Sequence, residues 1–117
     1  AWQNVQKLVL DIRASRKSQL DPTKSVLATN DNNTIRYYDL AFDPSYSDTE
    51  RTHITAHEGW HSDERMAAKA KEIYKIGDAA ERRMRLKELE KLTDIKAKIW
   101  IRNFLDKSYQ ANKIGYK

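Results

Sequence analysis

Apolar and polar residues alternate with a helical period at the start of the chain, where Trp2, Val5, Leu8, Val9 and Ile12 fall close to i, i+3, i+4, i+7. That stripe predicts an amphipathic helix over 2–20. Asp21-Pro22 ends it, because the residue before proline avoids the α region. Two β-type runs follow, Ser25–Thr29 and Thr34–Leu40, on either side of Asn30-Asp31-Asn32-Asn33. Asn and Asp tolerate left-handed turn conformations, so residues 25–40 are expected to form a hairpin. Ser47 and Glu50 have the spacing of a capping box. The helix they start is expected over 48–76, with only Gly59 interrupting it. Gly77-Asp78 is a stop and restart. A last helix over 79–110 takes its apolar faces from Met84, Leu86, Leu89, Leu92, Ile95, Ile99, Trp100 and Phe104. Helix, hairpin, helix, helix is an α+β order, with helices packed on a small antiparallel sheet.

The 117 residues suit one domain, spanning 1–117. The chain has no cysteine, which excludes disulfides and thiolate metal sites. Three glycines and two prolines argue against a collagenous or broadly disordered chain. No run of about 18 apolar residues is present, so no membrane span is expected. No apolar signal core is seen either. The lack of cysteine fits a cytoplasmic setting and equally a delivered or secreted bacterial or phage one. The chain starts at Ala1, and a larger polypeptide or complex is an expected context.

The net charge of +5 is unevenly spread: +3 over 1–20, −6 over 21–64 and +8 over 65–117. The basic half interleaves with Glu and Asp at helical spacing and is expected to be a solvated face. Nucleic acid is the alternative partner for Arg82, Arg83, Arg85, Lys87 and Lys91. Those residues lack the interleaved aromatics that single-strand binders use. The acidic middle also holds all three histidines, and negative charge beside histidines favours a cation.

Within that middle lies Thr55-Ala56-His57-Glu58-Gly59-Trp60-His61, which contains His-Glu-x-x-His on an expected helix. Histidines at i and i+4 lie on one helix face with Cβ atoms about 6 Å apart. Both imidazoles can then reach one metal ion at about 2.0–2.1 Å. Glu58 points off the ligand line, where a carboxylate can take a proton from an activated water and return it to a leaving group. A catalytic zinc commonly has three protein ligands. His53 cannot be the third, since it lies about 12 Å along the helix from His61; a plain helix histidine is the favoured reading, with a group behind a ligand or a substrate contact as the alternatives. A carboxylate is left. Asp63 and Glu64 share the motif's own helix at unsuitable angles. Asp94 shares a stripe with Ala97, Ile101 and Phe104, and a carboxylate on a buried face needs a partner or a metal. Glu90, one turn earlier, competes with it.

With these residues in view, the chain resembles the compact zincin-like metallopeptidases. These are the minimal kind seen in bacterial antirepressor-cleaving proteases and in phage or toxin-associated peptidase domains. The resemblance covers roughly 25–105. It rests on the strand Thr34–Leu40, the acidic loop, Thr55-x-His57-Glu58-x-x-His61, and Asp94-Ile95-Lys96-Ala97-Lys98-Ile99-Trp100 on a later helix. It implies a minimal zincin-like architecture with the motif on a central helix. Zinc (Zn2+) would be held by His57, His61 and Asp94, with Glu90 as the alternative ligand. Glu58 would be general base and acid, and a polypeptide the substrate. The chain departs from the longer metzincins, since Ser62-Asp63-Glu64-Arg65 follows His61. An edge strand can hold an extended peptide by backbone pairing. Thr34–Tyr38 is the candidate, with Ile35 and Tyr37 against the substrate. Tyr37, Tyr38, Tyr109 and Arg102 are all conceivable oxyanion donors. A zincin-fold module without turnover is the alternative function.

Overall fold

The structure, a computed structural model, describes Val5, the strand Lys7–Leu10 and residues 24–110. Strand β1 (Lys7–Leu10) is followed by β2 (Ala28–Asp31), β3 (Thr34–Tyr37) and a 3-10 turn over Asp39–Phe42. Three helices complete it: α1 (Asp48–Trp60), α2 (Glu64–Tyr74) and α3 (Ala79–Phe104). The fold is α+β, as the run of element types implies. No described helix is long and apolar enough to cross a membrane.

The sheet order is β1-β3-β2. β2 and β3 form the expected antiparallel hairpin, with Ala28 opposite Tyr37 and Asp31 opposite Thr34. Its two-residue turn sets Asn32 and Asn33 at φ 50° and 67°, left-handed values that Asn accepts more readily than most residues. β1 lies parallel to β3, with Leu8 opposite Ile35. The helix expected over 2–20 is therefore corrected at Lys7–Leu10, and apart from Val5 the rest of that span lies outside the described residues. A four-residue stretch containing Leu-Val-Leu suits strand and helix equally by periodicity, and an open edge of β3 decides between them.

α1 starts as expected. Ser47 Oγ accepts the Glu50 N–H at 3.1 Å, and Glu50 Oε1 accepts the Ser47 N–H at 2.8 Å. The single helix expected over 48–76 is broken after Trp60. Asp63 there accepts N–H bonds from Arg65 (3.2 Å) and Met66 (3.4 Å), so it caps a new helix. A short acidic side chain satisfies the unpaired donors of a helix start better than it serves a helix interior. Asp78 caps α3 in the same way, through Ala80 and Glu81. α3 stops at Phe104, short of the expected 110, because residues 105–110 turn back. Ile101 O accepts both the Leu105 and Asp106 N–H groups, and Tyr109 becomes buried.

α1 packs against the hairpin on one side and α3 on the other. On the sheet side the core is apolar: Ala28, Ala41 and Ile54, flanked by Leu27, Tyr37 and Tyr46. On the α3 side the contact is polar at its centre. Ala56 and Ala97 are fully buried and bring the helices close, while His53, Thr93 and Asp94 are buried with them. Asp94, Ala97 and Ile101 lie on the buried face of α3 as the stripe implied. Ile95, Ile99 and Phe104 are half or more exposed. The two helices thus bury polar side chains against each other, which is costly unless each finds a partner.

Candidate metal centre

Those partners are found at one place. His57, near the end of α1, and His61, which closes that helix, have ring centroids 5.1 Å apart. Both turn Nε2 to one carboxylate on α3: His57 Nε2 is 2.7 Å from Glu90 Oε2, and His61 Nε2 is 2.9 Å from Glu90 Oε1. One turn later, Asp94 Oδ1 lies 3.0 Å from the opposite nitrogen of His57, Nδ1. The same oxygen is 2.7 Å from His53 Nε2, and Lys98 Nζ is 2.9 Å from Oδ2. The 90-to-94 spacing is one helical turn, so both carboxylates face α1, one on each side of His57. Glu58 completes the group, and donor atoms of His57, Glu58 and His61 lie within 4.8 Å of one another.

Two further bonds brace the motif. Asn30 Nδ2 donates to Glu58 O (2.7 Å) and lies 2.6 Å from Ser62 Oγ, tying β2 to the end of α1. Asn30 Oδ1 accepts the Asn33 N–H at 3.1 Å, so the same side chain also holds the hairpin turn.

The hydrogen bonds favour a positive charge at His57. A neutral imidazole donates from one nitrogen only, yet both nitrogens of His57 face carboxylates. Burial works against charge on His57, but hydrogen bonds to Asp94 and Glu90, with the nearby charges of Glu90 and Glu58, hold its pKa up at about 10. Burial also opposes ionisation of Glu90 and Asp94. The histidines around them outweigh it and keep both carboxyls well below the usual range. Glu58 goes the other way: burial lifts it to about 7, against the pull of His57 and His61. The donor set fits a divalent ion. With Nδ1–H of His57 given to Asp94, a metal at Nε2 replaces the proton that must otherwise sit between His57 and Glu90.

Metal uptake is therefore expected to release that proton. Below pH 10 the apparent affinity rises about tenfold per pH unit through His57 alone. In the metal-free protein the raised pKa stabilises the fold fully below pH 6.5, and that contribution is lost as the pH rises through about 10. Calorimetric titration with zinc at pH 6, 7 and 8, in buffers of differing ionisation heat, measures the released proton. An affinity that does not change with pH contradicts the arrangement.

A cleft of about 730 Å³ opens on the centre, between β2, α1, α2 and α3. Asn30, His57, Glu58, His61 and Glu90 line it, with an apolar wall from Leu86 and Leu89. The sequence placed His57, Glu58 and His61 together, and they are together. Asp94, the carboxylate expected as ligand, stands behind His57, and its alternative, Glu90, stands on the face both imidazoles share. The substrate contacts expected at Ile35 and Tyr37 are corrected. β3 is paired on both sides, Ile35 is completely buried, and the Tyr37 hydroxyl lies 2.6 Å from Thr55 Oγ1. Among the described residues the edge strand beside the cleft is β2. Leu27 O accepts the Tyr38 N–H at 3.0 Å, which sets the phase of the ladder. The backbone groups of Ala28 and Asn30 then face outward, away from β3.

His53 is no plain helix histidine. It is 1% exposed and spans from Asp94 to the Tyr109 hydroxyl, 2.8 Å from its Nδ1. Its place on the His57 face, one turn earlier, was visible in the sequence; its partner Tyr109, beyond the end of α3, was not. No family model, curated protein or solved structure matches the chain.

Proposed function

We propose that the chain is a zinc-dependent peptidase. The observation that carries this is the meeting of His57 Nε2 and His61 Nε2 on Glu90, with Glu58 beside them in an open cleft. His57, His61 and Glu90 would hold the metal. Bound there, zinc would act as a Lewis acid, polarising a carbonyl and lowering the pKa of water. Asp94 keeps one proton of His57 on Nδ1, so Nε2 is the nitrogen that would exchange its proton for the metal. Glu58, balanced near neutrality, takes a proton from the attacking water and passes it to the departing amine nitrogen as the C–N bond breaks. The outward groups of Ala28 and Asn30 on β2 offer an extended polypeptide a strand to pair with.

An unfolded test protein incubated with the zinc-loaded chain is expected to be cut. Cleavage stops with a chelator and returns with added zinc. Zinc binding without cleavage of any of several unfolded substrates would instead favour a zincin-fold module without turnover.

A further inference from the structure

Behind the metal-facing side of His57 runs a second line of buried groups that peptide hydrolysis does not itself require. Tyr109 O–H, His53, Asp94 and His57 are joined end to end at 2.8, 2.7 and 3.0 Å. His53 is 1% exposed, Asp94 0% and Tyr109 6%, so water does not compete for these bonds. We propose that His53 and Tyr109 are positioning residues for the metal, acting through Asp94 to fix the tautomer and orientation of His57; this rests on the metal centre described above.

The direction of each bond follows from the donor inventory. The Tyr109 hydroxyl, whose pKa burial raises further, remains a donor. The Asp94 carboxylate can only accept, which puts the His53 proton on Nε2; Nδ1 of the neutral ring then accepts from the hydroxyl. Asp94 Oδ1 accepts from His53 Nε2 and from His57 Nδ1. Lys98 Nζ engages the other oxygen, so the carboxylate cannot rotate without giving up a partner. A carboxylate pinned from two sides holds the ring of His57 in one plane, its Nε2 aimed at Glu90 and His61. Tyr109 is itself tied down: Arg102 Nε donates to its carbonyl at 3.2 Å, and its ring meets His53 edge-on at a centroid distance of 5.5 Å. The turn after α3 is thereby connected to the metal centre through four side chains.

Zinc dissociation constants, measured by competition with a chromophoric chelator, test this with His53→Leu, His53→Gln and Tyr109→Phe. Loss of an outer partner of a metal-binding histidine weakens affinity by about 10- to 100-fold, and His53→Leu is expected in that range. A glutamine side chain carries an amide N–H that can reach the position of the imidazole Nε2, so His53→Gln is expected to recover most of the loss. A role in packing alone gives no reason for that rescue. Tyr109→Phe keeps the ring and removes one hydroxyl; it is expected to weaken zinc less than His53→Leu. In zinc-free protein it is also expected to release His53 from its single Nε2–H tautomer, read by long-range proton–nitrogen NMR. Tyr109→Phe also serves if His53→Leu fails to fold. Unchanged zinc affinity in both Tyr109→Phe and His53→Gln, with the His53 tautomer unaltered by Tyr109→Phe, overturns the proposal. Weakening by His53→Gln as large as by His53→Leu does so as well. Failure of the parent chain to bind zinc would instead remove the metal centre itself, and this inference with it.

Discussion

Replacing Glu58 with Gln is expected to abolish hydrolysis while leaving zinc bound. Gln matches Glu in size and still accepts hydrogen bonds, but it cannot take up a proton at neutral pH. Removing a general base or acid typically costs about 10²- to 10⁴-fold in rate, and the loss is expected in that range. The metal stays because the proposed ligands are His57, His61 and Glu90. Asn30 braces the backbone carbonyl of residue 58, and the substitution does not touch that carbonyl. A second effect runs in the opposite direction. Glu58 has a folded pKa of about 7 against an ordinary 4.5, so its contribution to stability is complete below 4.5 and is lost as the pH rises through 7. The variant is accordingly expected to be more stable than the parent at pH 8, with that gain shrinking by pH 5. Lower activity together with higher stability marks a group held in place for chemistry. Thermal unfolding at the two pH values, alongside a cleavage assay, tests both effects. Parental activity in Glu58→Gln would assign the proton transfer to another group.

The motif was legible because one helical turn fixes the spacing of His57 and His61 whatever surrounds them. The hairpin was legible from its Asn-rich turn, and the start of α1 from Ser47 and Glu50. What the sequence hid were properties of packing between distant segments. Lys7–Leu10 is a strand because β3 offers it an edge, a fact absent from its own periodicity. The break at Asp63 was written in the sequence as a capping residue, but it followed a helix-favouring run that only Gly59 interrupts. The choice between Glu90 and Asp94 depends on the height at which α3 crosses α1. Both face the right way, and only the crossing decides that Glu90 meets both Nε2 atoms while Asp94 meets Nδ1 of His57. Burial of Asp94 was anticipated from its stripe, but burial alone does not separate a metal ligand from a carboxylate that orients one. The edge proposed for peptide pairing moved from β3 to β2 for a similar reason: β1 occupies the side of β3 that a hairpin alone would leave open.

Glu90 and Asp94 are therefore expected to respond differently to substitution. Glu90→Ala removes the group both imidazoles face, leaving two histidines to hold the ion, and is expected to weaken zinc binding by about a hundredfold or more. Asp94→Asn keeps the shape and removes the charge that holds the proton on Nδ1 of His57. It is expected to cost about 10- to 100-fold with the ligand set unchanged. The most direct measurement is zinc per chain, by elemental analysis after equilibration at one buffered free-zinc concentration set just above the parent's dissociation constant. Substantial occupancy, rising to about one zinc per chain as free zinc increases, is predicted for the parent. Asp94→Asn is predicted to reach the same stoichiometry at higher free zinc, and Glu90→Ala to hold almost none where the parent is loaded. A parent chain that takes up no zinc, or a Glu90→Ala chain that fills as readily as the parent, would contradict the site.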